Sequence, residues 1–298
     1  DLHLTALRTL GAEISEIGGS LLCRAERLRG GDILLTLPSV GATENAILAA
    51  CGAEGTTIIS NAAREPEIVD LQDFLQKLGA DVHGAGTSTI TVRGGGVRHG
   101  CVHRCIGDRI AAATYLCAAA AAGGQVTLQG VDYRHLATVT TALGQAGCRL
   151  QCTEDSITLE SDGRLRAIPP VRTSPYPGFP TDAQAPVMAA LCAGRGTALF
   201  VENVFDSRYR HVSELVRMGA DITVEGRVAL VRGVPRLHGA HVECTDLRGG
   251  GALAAAALGA EGDTVLTGLR HIDRGYERLE DMITRLGGKM LRREDDSG

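Results

Sequence analysis

The sequence predicts an α/β fold of repeated β-α-β-α-β-β units, with Ala-rich helices inside and sheets outside. Three observations carry this. The phrase Leu-Gly-Ala-acid closes a helix at Leu10-Gly11-Ala12-Glu13 and at Leu78-Gly79-Ala80-Asp81, with a near copy at Met218-Gly219-Ala220-Asp221 and weaker ones at Ala146-Gly147-Cys148 and Leu286-Gly287-Gly288. These glycines are 68, 68, 72 and 68 residues apart, the length of one small supersecondary unit. Four times an apolar helix runs into a Gly that caps it and starts a strand, at Gly55, Gly124, Gly196 and Gly262. Residues 111–122 and 251–260 are mostly Ala, Leu and Gly with no wide polar face, so these helices are expected to be buried.

One unit reads as strand Asp32–Leu37, helix Thr43–Ala53, strand Thr56–Asn61, helix Pro66–Leu78, then strands Ala80–His83 and Ser88–Val92. Alternation of this kind specifies an α/β class with right-handed crossovers. Four units follow one another, at about 30–97, 98–162, 163–235 and from 236 onward, preceded by the tail of a fifth at 1–29. The chain opens on Asp1 inside a helix, since Leu4, Leu7 and Leu10 recur at helical spacing, so an upstream segment is expected.

Composition excludes several function classes. Of 298 residues only four are Phe and five Tyr, none is Trp, and the net charge is −5, which leaves neither the stacking surface nor the basic footprint of a nucleic-acid protein. The longest apolar stretch, residues 110–122, is too short to span a bilayer, and the first residues have no basic flank or apolar run of a signal peptide. Nine Cys, an odd number scattered through apolar segments, suit buried free thiols in a reducing cytosol. Cys101 and Cys105 with His103 between them do not have the spacing of the common zinc pairs, and no second pair follows, so no metal is expected.

The repeat makes candidate functional residues comparable within the chain. First helices begin at Ser39-Val40-Gly41-Ala42-Thr43, Gly107-Asp108-Arg109, Pro180-Thr181-Asp182 and Thr245-Asp246-Leu247-Arg248. Each Asp or Thr there reads equally as an N-cap. Second helices begin near Arg64, Arg134, Arg208 and Arg274, where a cation opposes the helix dipole, so capping does not explain them. Either they form an anion site with the helix N-termini, or they pair with nearby acids such as Glu65, Asp206 or Asp273. Ser39-Val40-Gly41 is a turn of small residues whose N–H groups can approach a phosphate, although neither a P-loop nor a GxGxxG is present.

The stretches 37–45, 61–71, 177–182, 245–248 and 271–277 resemble the UDP-N-acetylglucosamine 1-carboxyvinyltransferases, and the likeness runs in order along the whole chain. The resemblance implies an inside-out α/β barrel of the enolpyruvyl transferase type with two domains: a partial first domain at 1–106, holding half of one repeat and one full repeat, and a second of three repeats at 107–298. It implies an active site in the cleft between them and transfer of an enolpyruvyl group from phosphoenolpyruvate to the 3-hydroxyl of UDP-N-acetylglucosamine with release of phosphate, the first committed step of peptidoglycan synthesis, in the cytoplasm and without a cofactor. By that resemblance Asp182 is the general base, Asp246 lies near the reacting carbon, and Arg248 and Arg274 hold phosphoenolpyruvate. Asp1, Leu2, Ser39, Val40, Gly41, Thr181, Asp182 and Val204 bind the nucleotide sugar.

Some family features are not found. A Lys-Asn pair and a loop bearing a catalytic Cys or Asp belong upstream of Asp1, so full turnover is expected to need about 120 further residues. The family phrase Pro-Asp-Arg-Ile-Glu reads Gly107-Asp108-Arg109-Ile110-Ala111 here. Two other readings stay open: a non-catalytic nucleotide-sugar-binding paralogue or fragment, which would associate through the sheet edges of the incomplete first domain, and a sibling transferase with another acceptor alcohol.

Overall fold

The computed structural model describes residues 1–293. In chain order the elements are α1 (Leu2–Thr9), β1 (Glu13–Ile17), β2 (Ser20–Arg24), β3 (Asp32–Leu34), α2 (Val40–Cys51), β4 (Thr56–Ser60), α3 (Pro66–Lys77), β5 (Asp81–His83), β6 (Thr89–Arg93), α4 (Arg109–Ala122), β7 (Gly124–Gln129), α5 (Ala137–Ala146), β8 (Arg149–Cys152), β9 (Ser156–Ser161), β10 (Val171–Arg172), α6 (Thr181–Leu191), β11 (Thr197–Val201), α7 (Val212–Arg217), β12 (Asp221–Glu225), β13 (Val228–Arg232), β14 (His241–Glu243), α8 (Leu247–Gly259), β15 (Val265–Thr267) and α9 (Leu279–Arg285). Short 3-10 turns lead into α5 at Tyr133–Leu136 and follow β15 at Leu269–His271.

Two compact units result, one of Asp1–Ile106 with Pro175–Pro177, the other of Gly107–Ser174 with Gly178 onward. Each has its own apolar core. In the first, the order β3-β4-β6-β5 joins a parallel β3/β4 pair to antiparallel β4/β6 and β5/β6 pairs. In the second, β10-β11-β13-β12 repeats that order with the same strand directions. The β7-β9-β8 and β14-β15 sheets are shorter versions. Among the described residues the sheets stay separate and do not close into a hydrogen-bonded barrel.

The second repeat lacks its opening strand. The N–H groups of Arg98 and His99 both go to the carbonyl of Leu78 at the end of α3, a contact whose counterparts in the other repeats, Arg29 to Leu10, Arg166 to Ala146 and His238 to Met218, are followed by a strand. The repeat glycines Gly11, Gly79, Gly147, Gly219 and Gly287 all have φ between +87° and +114°, the left-handed turn that ends a helix where a side chain is disfavoured. Gly55, Gly196 and Gly262 also have positive φ, but they lie in the turn after the helix and are not its cap.

In the second unit α4, α6 and α8 pack on one another and are buried along most of their length. Their small side chains permit this: a Cβ on Gly259 of α8 would stand 2.8 Å from the carbonyl oxygen of Ala121 in α4. The strands around them alternate buried and exposed residues, as in β13, so each sheet has one face on the helices and one in solvent. Past the C-terminal ends of these three helices lies a cavity of about 860 Å³, lined by Arg164, Arg195 and Arg236 among others. Of the cysteines, Cys51, Cys117, Cys148, Cys192 and Cys244 are buried and Cys101 half-buried. Cys23, Cys105 and Cys152 are exposed, because their segments lie at a sheet surface or in irregular chain and not in the helices.

Gly259→Val should destabilise the second unit by about 1–3 kcal/mol, because the added side chain drives α4 and α8 apart. Gly226→Ala, in the β12/β13 turn at φ +56° with open space around it, should cost only about 1 kcal/mol of left-handed strain. Urea unfolding midpoints of the two variants check the ranking.

Candidate active site

In the second unit three aspartates stand at the starts of the three buried helices, and the structure divides them by role. Asp108 and Asp246 are N-caps: Asp108 Oδ1 accepts from Ile110 N (2.8 Å) and Ala111 N (2.9 Å), and Asp246 Oδ1 accepts from Arg248 N (3.0 Å) and Gly249 N (2.8 Å). Asp182 is not a cap, because Pro180 takes that position and Asp182 falls inside the first turn of α6. Its carboxylate is therefore free to turn outward. Pro186, four residues on, has no N–H to give the Asp182 carbonyl, so the turn at Asp182 lacks one helical bond.

Two guanidinium groups take the Asp182 carboxylate. Arg208 pairs with Oδ1, and Arg248 Nη2 lies 3.2 Å from Oδ2. Both arginine side chains are four-fifths buried. Burial disfavours the charged form of Arg248, but attraction to Asp182 and an interaction with the Tyr276 hydroxyl outweigh it and raise its pKa. Tyr276 is itself buried, and its hydroxyl lies 2.7 Å from Thr114 Oγ1 of α4. A Cβ on Gly251 would meet that hydroxyl at 2.8 Å, so the glycine makes room for it. Side chains from α4, α6 and α8 thus join in one line, Thr114, Tyr276, Arg248, Asp182, Arg208.

A second buried carboxylate fixes the loop that carries Arg208. Glu202 accepts from Thr173 Oγ1 (2.9 Å), Thr181 Oγ1 (2.9 Å), Val204 N (2.8 Å) and Phe205 N (3.0 Å). Thr181 and Val204 are two residues expected to bind the nucleotide sugar, and the hydroxyl of one and the N–H of the other are thereby occupied within the protein. The guanidinium of Arg208 sits 5.2 Å from the centre of the Phe205 ring. A cavity of about 290 Å³ beside it is lined by Phe205, Arg208, Tyr209, Arg210 and Arg227.

The four arginines in register at second helices do not share one role. Arg134 is bound bidentately by Asp132, which also caps the 3-10 turn, and so is a local ion pair. Arg208 reaches Asp182, while Arg64 and Arg274 are exposed. Asp206 and Asp273 are taken by Arg227 and Arg292.

In the first unit the predicted ligand residues come together at two helix N-termini. Ser39 caps α2, its Oγ accepting from Ala42 N (3.4 Å), which leaves the N–H groups of Val40 and Gly41 without a partner among the described residues. Asp1 precedes α1, with Leu2 as its first residue. His3 joins the two helices: its Nδ1 lies 2.6 Å from Asn45 Nδ2, and its ring would touch a Cβ on Gly41 at 3.1 Å. Glu44 in the same turn is partly buried, and burial, then Glu67, raises its carboxyl pKa.

The model of the EPSP synthase (3-phosphoshikimate 1-carboxyvinyltransferase) family matches residues 1–283. UDP-N-acetylglucosamine 1-carboxyvinyltransferase 2 of Caldanaerobacter subterraneus subsp. tengcongensis is 49% identical over 98% of this chain and 70% of its own length. The UDP-N-acetylglucosamine 1-carboxyvinyltransferase of Zymomonas mobilis subsp. mobilis is likewise 49% identical, over 98% of this chain and 69% of its own. The chain belongs to this carboxyvinyltransferase family. Among solved structures, the enolpyruvyl transferase NikO from Streptomyces tendae superposes with a TM-score of 0.86 at 25% identity, covering 97% of this chain and 71% of that one. EPSP synthase from Acinetobacter baumannii, at 21% identity and a TM-score of 0.73 over 98% of this chain and 71% of that one, shares the fold. No helix among the described residues is long and apolar enough to cross a membrane.

Several members of this cluster escape a sequence reading. Arg208 was marked only by its place in the repeat, Tyr276 only by lying in the 271–277 stretch, and Thr114 and Glu202 by nothing local. His211 is the least visible: it is 1% exposed, with both ring nitrogens unpartnered. Gly249 lets it approach the first turn of α8, since a Cβ there would meet His211 Cβ at 3.0 Å. Burial lowers its pKa to about 4, against the pull of Asp246.

The unfolded imidazole titrates near 6.5 and the folded one near 4, so between these values the unfolded chain binds more protons. Stability contributed by neutral His211 is complete above about pH 6.5, falls as pH is lowered, and levels off below about pH 4, a total on the order of 3 kcal/mol. His211→Phe should flatten that part of the curve, measured as unfolding free energy against pH.

Proposed function

We propose that the chain transfers the enolpyruvyl group of phosphoenolpyruvate to the 3-hydroxyl of UDP-N-acetylglucosamine in the cytoplasm, the first committed step of peptidoglycan synthesis. The observation that carries this reading is the carboxylate of Asp182 held between the guanidinium groups of Arg208 and Arg248 where α6 and α8 begin. Both substrates are polyanions, and guanidinium forks at helix N-termini suit phosphate and carboxylate groups.

In the reaction the sugar oxygen bonds to C2 of phosphoenolpyruvate while C3 gains a proton, giving a tetrahedral adduct. Loss of that C3 proton with departure of phosphate from C2 then leaves the enol ether. Asp182 takes the proton of the 3-hydroxyl. Arg248 and Arg274 hold phosphoenolpyruvate, and Asp246, with Oδ1 committed to capping α8, lies near the reacting carbon. Phosphoenolpyruvate competes with Asp182 for Arg248, so its arrival releases the carboxylate for work as a base. Asp1, Leu2, Ser39, Val40 and Gly41 hold the nucleotide sugar, as do Thr181 and Val204 through the atoms that Glu202 leaves free. The unpaired N–H groups of Val40 and Gly41 suit its diphosphate.

Titration calorimetry with each substrate, beside a phosphate-release assay, tests this. UDP-N-acetylglucosamine should bind in preference to shikimate 3-phosphate. Arg248→Ala should weaken phosphoenolpyruvate binding about 10- to 100-fold, the effect of losing a charged hydrogen bond of about 1.5–3 kcal/mol. Asp182→Asn should keep or tighten that binding, because Arg248 loses its competing carboxylate, while phosphate release disappears. Preference for shikimate 3-phosphate would assign the chain to another acceptor. Binding of both substrates without phosphate release even after the expected upstream segment is supplied would mark a non-catalytic binding protein.

A further inference from the structure

We propose that Asp70, His103 and Cys105 form a binding site for a divalent cation, and that Zn²⁺ is the ion their donors fit. One ligand atom from each residue lies within 4.8 Å of the other two. The spacing of Cys101, His103 and Cys105 gives no zinc motif, and the structure supplies what the motif lacked from α3, more than thirty positions away in the chain. A carboxylate oxygen, an imidazole nitrogen and a thiolate suit a borderline-soft cation, whereas magnesium or calcium would prefer oxygens alone.

The site is partly preorganised. His103 Nε2 already stands 3.0 Å from Asp70 Oδ1, and their side chains are 7% and 17% exposed. The His103 ring packs against Phe74 with centroids 5.4 Å apart, which limits its rotation. Cys105 is exposed, so the ion has an entry path and a fourth position open to water. Tetrahedral bonds of about 2.0–2.3 Å place ligand atoms about 3.3–3.6 Å apart, a contraction that side-chain rotation can supply.

Lys77 competes with the metal. Its Nζ lies 3.0 Å from His103 Nδ1, so in the metal-free protein Nδ1 accepts that bond and Nε2 carries the proton toward Asp70. Binding through Nε2 shifts the imidazole proton to Nδ1, releases the Cys105 thiol proton to solvent, and obliges the Lys77 ammonium to swing away. Lys77→Met should therefore tighten binding. The segment held to α3 in this way, His103 to Cys105, lies just before the last residue of the first unit's main stretch, Ile106.

Titrating the metal-free chain with Zn²⁺ and with Co²⁺ tests the proposal. The expected result is one equivalent bound with proton release. The Co²⁺ form should show a near-ultraviolet thiolate-to-cobalt band and the intense visible bands of four-coordinate cobalt. Cys105→Ser, at an exposed position that leaves the fold intact, should abolish the ultraviolet band and weaken Zn²⁺ by more than the roughly 10-fold cost of an outer-shell change. His103→Ala should weaken Zn²⁺ binding by a similar factor, with circular dichroism confirming that the variant is folded. Absence of stoichiometric uptake, or uptake and a thiolate band undiminished in Cys105→Ser, would overturn it.

Discussion

Close approach of three helices built from Ala and Gly is the constraint on which the second unit depends. With so little side-chain volume between them, α4, α6 and α8 bring their backbones near enough that their first turns share a small region. Residues at those turns then interact although they are 66 positions apart, as Asp182 of α6 and Arg248 of α8 do. The sheets supply the outer cover, and their alternating faces follow from it. A wider helix contact would leave Arg248 too far from Asp182 to bind it.

Within that frame, the same side chain acquires different work from a shift of two residues. Asp108 and Asp246 stand just before their helices and spend an oxygen on backbone N–H groups. Asp182 stands two positions past the cap, after Pro180 and Thr181, and has nothing local to cap. Its charge is met by arginines from two other elements, Arg208 and Arg248. Buried His211, kept neutral beside Asp246, adds no competing positive charge at the start of α8.

What repeats along the chain was legible in it, and what joins distant residues was not. Glycines at a period near 68 marked helix ends because the left-handed turn restricts residue choice wherever it occurs. Burial of the Ala-rich helices followed from their lack of a polar face. Strand ends were read too long at Leu37, since apolar residues continue past the last ladder bond, from Leu35 N to the Ser60 carbonyl. Equivalence in register also misled, because Arg134 and Arg208 occupy matching places yet one meets Asp132 two residues away and the other meets Asp182 across the unit. Glu202 could not be distinguished from a surface acid, because its four donors come from three parts of the chain.

That buried glutamate has a mechanical consequence. By accepting from Thr173, Thr181 and two N–H groups of the following loop, Glu202 ties the beginning of α6 to the segment that carries Arg208. The base candidate and one of its two cations are therefore mounted on the same bracket, and thermal motion of the loop moves both together. Arg248 is mounted elsewhere, on α8. Relative motion at the site is thus concentrated in one of the two contacts, the one between Asp182 and Arg248, which works as the hinge while the other serves as the fixed plate.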